Sequence, residues 1–139
     1  MSTLNDTPGS RIVTLGSFVS NHKKADIYWD DLNFKKSFDE MAPYGQSKLA
    51  NMMFAVELDK KLKENNSRTL SVVINPGYVA TGMQRHFGLK VKIMDILIAQ
   101  KVENEILPTL RAATDQDVRG GDYFGHYPFS TLVLAAKIA

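Results

Sequence analysis

The sequence predicts an α/β fold, a doubly wound parallel sheet of about three strands with flanking helices, in one domain of residues 1–139. Two short, nearly continuous apolar runs predict it, because a strand that is covered on both faces is apolar along its whole length. A long helical pattern separates the runs, as in a right-handed strand-helix-strand crossover. Each run ends in turn-forming residues, Gly16-Ser17 and Asn75-Pro76-Gly77. The content of 44% hydrophobic residues is enough for one core.

The predicted elements follow one another in chain order. A first strand is expected at about 11–16 (RIVTLG), after the breaker pair Pro8-Gly9. A helix is expected at about 44–64, because Pro43 suits a first helical turn and Asn65-Asn66 is a plausible stop. A second strand is expected at about 70–74 (LSVVI).

The central helix shows apolar residues at helical spacing and a polar flank. Leu49, Met52, Met53 and Val56 form the apolar set, and Phe54 is expected with Met52 and Met53 in the core or in a helix interface. The predicted polar flank consists of Glu57, Asp59, Lys60, Lys61 and Lys63.

The remaining segments are a long loop and a second helical region. The loop from Phe18 to Met41 is expected to border a site, because loops of this length in compact domains are usually functional. Within it, Trp29 and Phe34 are expected to anchor the loop to the body of the domain. A helical region at about 84–114 contains Pro108, which should kink or split it, and a short strand is expected at about 122–125.

Composition excludes several classes of function. The net charge of +2 comes from 17 basic and 15 acidic residues mixed along the chain, so nucleic acid is not an expected partner. The chain has no cysteine, hence no disulfide or thiolate metal site, and its three histidines are too scattered for a metal site. No membrane span and no apolar leader are evident, which predicts a cytoplasmic protein.

The chemistry centres on Tyr44 and Lys48, which lie one helical turn apart. A positive charge beside a phenol favours its ionised form, so the pair can exchange protons with a bound ligand. Ser17, at the end of the first strand, would project into the same crevice, where open α/β sheets bind ligands. A Tyr-x-x-x-Lys pair alone is weak evidence, but its position between these two strand ends is much more specific.

These residues resemble the short-chain dehydrogenase/reductase family. Ser17 in VTLGS is similar to the catalytic strand-end Ser, Tyr44 to Lys48 (YGQSK) matches Y-x-x-[ST]-K, and residues 76–81 (PGYVAT) match P-G-x-V-x-T. The segment YGQSKLAN and the later segment LPTLRAATDQDVRGGDYFG resemble sequences of the branch that contains retinol-dehydrogenase-like and WW-domain-oxidoreductase-like proteins. The resemblance covers about residues 10–125 and implies a partial Rossmann-like fold that corresponds to the C-terminal half of the family fold.

The resemblance implies hydride transfer between NADP or NAD and a small carbonyl or alcohol substrate. Tyr44 would be the general acid/base, Lys48 would assist it and bind the nicotinamide ribose, and Ser17 would orient the substrate oxygen. The implied cofactor contacts also include Pro76, Gly77, Val79 and Thr81. The apolar character of residues 83–99 hints at a lipophilic substrate, although packing explains it equally well.

The sequence departs from the family pattern at its start. The Gly-rich turn that cradles the cofactor pyrophosphate is not found, so the N-terminal mononucleotide-binding half is expected to be lacking. Two alternatives to an active enzyme stay open: a catalytically silent fragment that self-associates through the Tyr44 helix, with a homo-oligomer expected, and the site-bearing half of a larger protein. A sugar-nucleotide epimerase or dehydratase also uses Y-x-x-x-K, but residues 82–139 are few for its substrate domain.

Overall fold

The computed structural model describes residues 2–77 and 106–125, and its architecture confirms the predicted fold class. The strands are β1 (Arg11–Leu15), β2 (Leu70–Ile74) and β3 (Tyr123–Phe124), and the α-helices are α1 (Ser2–Asp6), α2 (Met41–Glu64) and α3 (Leu107–Thr114). Two short 3-10 helices, Phe18–Asn21 and Trp29–Asp31, lie between β1 and α2. Residues 84–105 of the predicted helical region lie outside the described residues.

The sheet is parallel throughout, with strand order β1-β2-β3. Leu15 lies opposite Ile74, and Ile74 lies opposite Phe124. The carboxyl ends of all three strands therefore reach the same edge of the sheet.

Helices cover both faces of the sheet, as a doubly wound fold requires. On one face, Val72 and Ile74 of β2 form a buried cluster with Ala112 of α3 and Val118. On the other face, Val73 packs against two buried residues of α2, Met52 and Ala55. Because consecutive residues of a strand point to opposite faces, the run 72–74 supplies both cores.

The structure corrects three expectations for α2. The predicted polar flank is wrong at Asp59, which is buried and bonds to Lys63 with Oδ2 and Nζ 2.6 Å apart. A Cβ at Gly120 would overlap the Asp59 carboxylate, so the turn before β3 lies directly on it. Of the two alternatives for Met53 and Phe54, the core is wrong, because they are 39% and 58% exposed, and the helix interface stays a prediction.

Pro108, which was expected to kink or split the predicted helical region, lies at the start of α3, as a split would give and a kink would not. Pro108 lies in the first turn of α3, where a missing N–H costs no intrahelical hydrogen bond. The other end of α3 is held by Arg11 of β1, whose guanidinium donates to the carbonyl oxygens of Ala112 at 2.8 Å and Asp115 at 2.5 Å. No helix in residues 2–77 and 106–125 is long and apolar enough to cross a membrane.

Candidate active site

The candidate site lies where the three parallel strands end. Gly16 and Ser17 follow β1, Asn75 to Gly77 follow β2, and Gly125 follows β3. Ligands of open α/β sheets bind at this edge, where backbone groups are no longer used by the strand ladder.

Ser17 is held at the end of β1 by a close backbone approach and a local cap. A Cβ at Gly16 would lie 2.7 Å from Val73 Cγ1, so only Gly lets β1 approach β2 so closely just before Ser17. The Ser17 hydroxyl oxygen accepts from the Val19 N–H at 3.3 Å, and the side chain is 7% exposed. Its own O–H proton remains available for a second oxygen atom, since a hydroxyl both donates and accepts.

The structure brings Tyr44 and Lys48 together at the start of α2. The Lys48 Nζ atom lies 5.9 Å from the centroid of the Tyr44 ring, within the range of a cation–π interaction. Both side chains are half-buried. The 3-10 helix that begins next to Ser17 packs against α2, so the Ser17 segment and the Tyr44 helix are neighbours in the fold.

The turn after β2 is shaped by Asn75. Its side-chain oxygen accepts from the Gly77 N–H at 3.1 Å, and Gly77 has a φ of 82°, in the left-handed region that favours glycine. Tyr123 interacts with the Asn75 side chain, although burial dominates and raises the pKa of its phenol. Pro76 and Gly77 are thus held at the strand ends, whereas Val79 and Thr81 lie outside the described residues.

Asn51 is a residue that the sequence reasoning missed. It follows Lys48 by three residues, so Tyr44, Lys48 and Asn51 share one face of α2. Its Nδ2 atom donates to the carbonyl oxygen of Leu15 at 2.9 Å and ties this face to the end of β1. The 4-then-3 spacing of polar residues on one helix face is a signal that could have found it.

The long loop is fixed to the start of α2 through Asp39. One Asp39 oxygen accepts from the N–H groups of Met41 and Ala42, at 3.1 and 3.2 Å, and the other lies 2.6 Å from Lys24 Nζ. The Lys24 ammonium and these backbone amides lower the pKa of the Asp39 carboxyl. Asp39 therefore caps the helix that carries Tyr44.

The prediction that Trp29 anchors the long loop to the body of the domain is wrong, because Trp29 is 74% exposed. Phe34 instead packs within the loop, with its ring centroid 5.1 Å from that of Tyr28. Asp31 accepts from the backbone N–H groups of Lys35 and Lys36, and these amides lower the pKa of its carboxyl.

Across the described ranges, no group of three or more His, Asp or Glu side chains could hold a metal ion.

Comparison with known proteins finds similar oxidoreductases. The short-chain dehydrogenase TIC 32 B of Brassica napus, a chloroplastic protein, is 31% identical over 120 residues, which are 82% of this chain and 38% of that protein. Human retinol dehydrogenase 14 is 36% identical over 93 residues, 67% of this chain and 26% of that protein. Human polyprenol dehydrogenase is 28% identical over 138 residues, 94% of this chain and 41% of that protein. No protein-family model matches the sequence.

Solved structures with a similar fold are also found. A putative uncharacterized protein from Mycobacterium paratuberculosis matches with a TM-score of 0.60 and 28% identity, over 83% of this chain and 37% of that one. The RhlG/NADP active-site complex of Pseudomonas aeruginosa matches with a TM-score of 0.57 and 18% identity, over 88% and 45%. The chain spans less than half the length of these relatives and structures. The chain therefore belongs to the short-chain dehydrogenase/reductase family and represents part of its Rossmann-like fold.

Proposed function

We propose that this chain carries the proton-transfer residues of an NAD(P)-dependent oxidoreductase that interconverts a carbonyl and an alcohol. The observation that carries the proposal is the half-buried Tyr44 beside the Lys48 ammonium, at the carboxyl edge of a parallel sheet. A phenol can give its proton to a carbonyl oxygen when a neighbouring cation stabilises the phenolate that remains. Ser17 would hold the same oxygen through its hydroxyl proton.

The polar groups at this edge fit the nicotinamide end of the cofactor. An ammonium and a phenol on one helix face can bind the two hydroxyls of a ribose, and the Pro76-Gly77 turn offers backbone groups at the same edge of the sheet. In the family the cofactor supplies the hydride. Val79 and Thr81 stay proposed contacts of the nicotinamide.

The pyrophosphate end finds no comparable cradle in the described part of the chain. There, no Gly-rich turn joins a strand to the start of a helix. We therefore expect this chain alone to bind a nicotinamide cofactor weakly. NADP is proposed ahead of NAD because two solved structures of similar fold are NADP complexes by their titles: the RhlG complex and a short chain dehydrogenase from Burkholderia cenocepacia J2315.

Calorimetry tests the proposal directly. The chain is expected to bind NADPH with a dissociation constant near ~1 mM, and Lys48→Met is expected to weaken binding roughly tenfold or more, the scale of a lost charge-assisted hydrogen bond. The matched control is Lys60→Met, an exposed position on the same helix. If neither NADPH nor NADH gives measurable heat at millimolar concentration, the silent-fragment alternative replaces this proposal.

We also propose that the chain forms a homo-oligomer through α2. Met53 and Phe54 are exposed on the helix that carries the site, and apolar side chains of this size favour association when they lie together. Light scattering at micromolar concentrations is expected to show a dimer or larger species that Phe54→Glu dissociates. Phe38→Glu, a change at a more exposed loop position, should leave the mass unaltered, and a monomeric parent chain would refute the assignment. The cytoplasmic location stays a prediction.

A further inference from the structure

Asn51 connects α2 to the end of β1. Its Nδ2 atom donates to the carbonyl oxygen of Leu15 at 2.9 Å, and Leu15 lies two residues before Ser17. The next helix residue, Met52, lies against Gly16, because a Cβ at Gly16 would be 3.6 Å from Met52 Cγ. This stretch of α2 therefore touches the chain immediately before Ser17, once by a hydrogen bond and once by packing.

Ser17 has a fixed place relative to that contact. Its backbone is still extended, with φ −167° and ψ 151°, so the chain continues beyond β1 in the direction of the strand. The Gly16 N–H donates to the Ile74 carbonyl oxygen at 2.8 Å. The Ser17 carbonyl oxygen accepts from the Ser20 N–H at 3.1 Å and from the Ser20 hydroxyl at 2.7 Å. Ser17 is thus held by β2 through Gly16 and by the turn that follows, and Asn51 adds a hydrogen bond from α2.

The lengths of the two elements place Ser17 level with the Tyr44-Lys48 pair. Because α2 joins two parallel strands, it runs back from their carboxyl edge, and Tyr44 is nearer to that edge than Asn51. Measured from the Asn51–Leu15 contact toward that edge, two extended residues put Ser17 about 6.6 Å further along. On the helix, three residues put Lys48 about 4.5 Å further along and seven put Tyr44 about 10.5 Å further along. Ser17 therefore falls between Lys48 and Tyr44 in height above the contact.

We propose that Asn51 is a positioning residue that sets the distance between the Ser17 hydroxyl and the Tyr44 phenol. The inference rests on the proposed function, in which both groups meet the same substrate oxygen. One group is carried by a strand end and the other by a helix, so their separation is constant only if the two elements are tied together nearby. The Asn51 amide is such a tie. Its loss lets Ser17 shift relative to Tyr44, and a misplacement of about 1 Å can cost roughly 10² in rate.

Two substitutions remove the amide donor and keep the shape of the side chain. Asn51→Leu puts a stronger helix former at this position, so α2 is expected to persist. In Asn51→Asp the carboxylate at neutral pH has no proton to donate to the Leu15 carbonyl oxygen. A loss that both variants share therefore belongs to the missing donor and not to the changed polarity. Lys60→Leu is the matched control, since Lys60 is an exposed residue of the same helix.

NMR gives a readout that needs neither cofactor nor substrate. The carbonyl carbon of Leu15 is expected to move to lower frequency in both Asn51 variants, because its oxygen loses a hydrogen bond. The order parameter of the Ser17 N–H is expected near ~0.85 in the parent chain and in Lys60→Leu, and to fall toward ~0.6 in the Asn51 variants. An unchanged Ser17 order parameter in both variants would overturn the proposal.

A double-mutant cycle distinguishes the positioning of Ser17 from a general loss of stability. With NADPH and an aromatic aldehyde as probes, Asn51→Leu is expected to lower kcat roughly tenfold to hundredfold. The NADPH affinity measured by calorimetry should stay unchanged, because Tyr44 and Lys48 keep their places on α2. Ser17→Ala is also expected to lower kcat. The double variant should be no slower than Ser17→Ala alone, since no hydroxyl is left to position.

The possible failures of this experiment are distinguishable. Fully additive losses in the double variant, or a kcat of Asn51→Leu equal to that of Lys60→Leu, would overturn the role of Asn51 while the parent chain remains active. An inactive parent chain would refute the proposed function and with it this role.

Discussion

Replacement of Tyr44 by Phe is expected to lower the turnover number for NADPH-dependent aldehyde reduction by about 10² to 10⁴. Phe keeps the ring beside the Lys48 ammonium and removes only the phenolic O–H, so the packing of α2 is retained. The carbonyl oxygen would then gain negative charge without a proton donor in place.

The measurement combines the loss of NADPH absorbance with calorimetry of NADPH binding. A lost proton donor lowers turnover while the cofactor affinity changes little. The control is Tyr28→Phe, which removes the hydrogen bond from the Tyr28 phenol to the Lys24 carbonyl oxygen. It leaves the bond from the Tyr28 backbone N–H to the Gln46 side-chain oxygen intact. Turnover within about twofold of the parent chain in Tyr44→Phe would rule out Tyr44 as the acid, since a general acid contributes at least about 10².

The fold class was predictable because the strongest sequence signals arise from burial. The runs RIVTL and LSVVI became β1 and β2, and the three-stranded parallel sheet was confirmed. These runs are apolar because two helical layers cover the sheet, so their pattern reports the architecture directly. The contact between Tyr44 and Lys48 was equally predictable, because residues four apart on a helix are neighbours whatever the tertiary structure.

What could not be predicted depends on partners that are distant in the sequence. Helix α1 is too short to be stable alone, and contacts such as the 2.7 Å bond from Ser10 Oγ to the Leu4 carbonyl hold it. In the sequence Asp59 is an ordinary charged residue of a helix, and only the structure shows that the turn at Gly120 buries it. Gln46 looks like an unspecified position of a motif until residues 28–32 are seen against it.

The contribution of β2 to the stability of the fold can be tested at Ile74. This residue is fully buried, and its strand is the central one, so it contacts the layer that contains α3 and also precedes the Asn75 turn. Ile74→Ala removes three carbon atoms from a site where the surrounding strands limit relaxation. The expected loss is about 2 to 5 kcal/mol of the free energy of unfolding, from lost transfer energy and the cavity that remains.

A loss of that size is a large part of the total, because small domains unfold with only about 5 to 15 kcal/mol. Urea unfolding followed by circular dichroism is expected to show a much lower midpoint for Ile74→Ala than for the parent chain. Ile106→Ala is the matched control, since Ile106 is 48% exposed and its removal leaves no closed cavity. Equal midpoints for the two variants would contradict the central place of β2 in the core. A lower midpoint for Ile74→Ala alone would show that the strand that ends at the candidate site also supports the layer that contains α3.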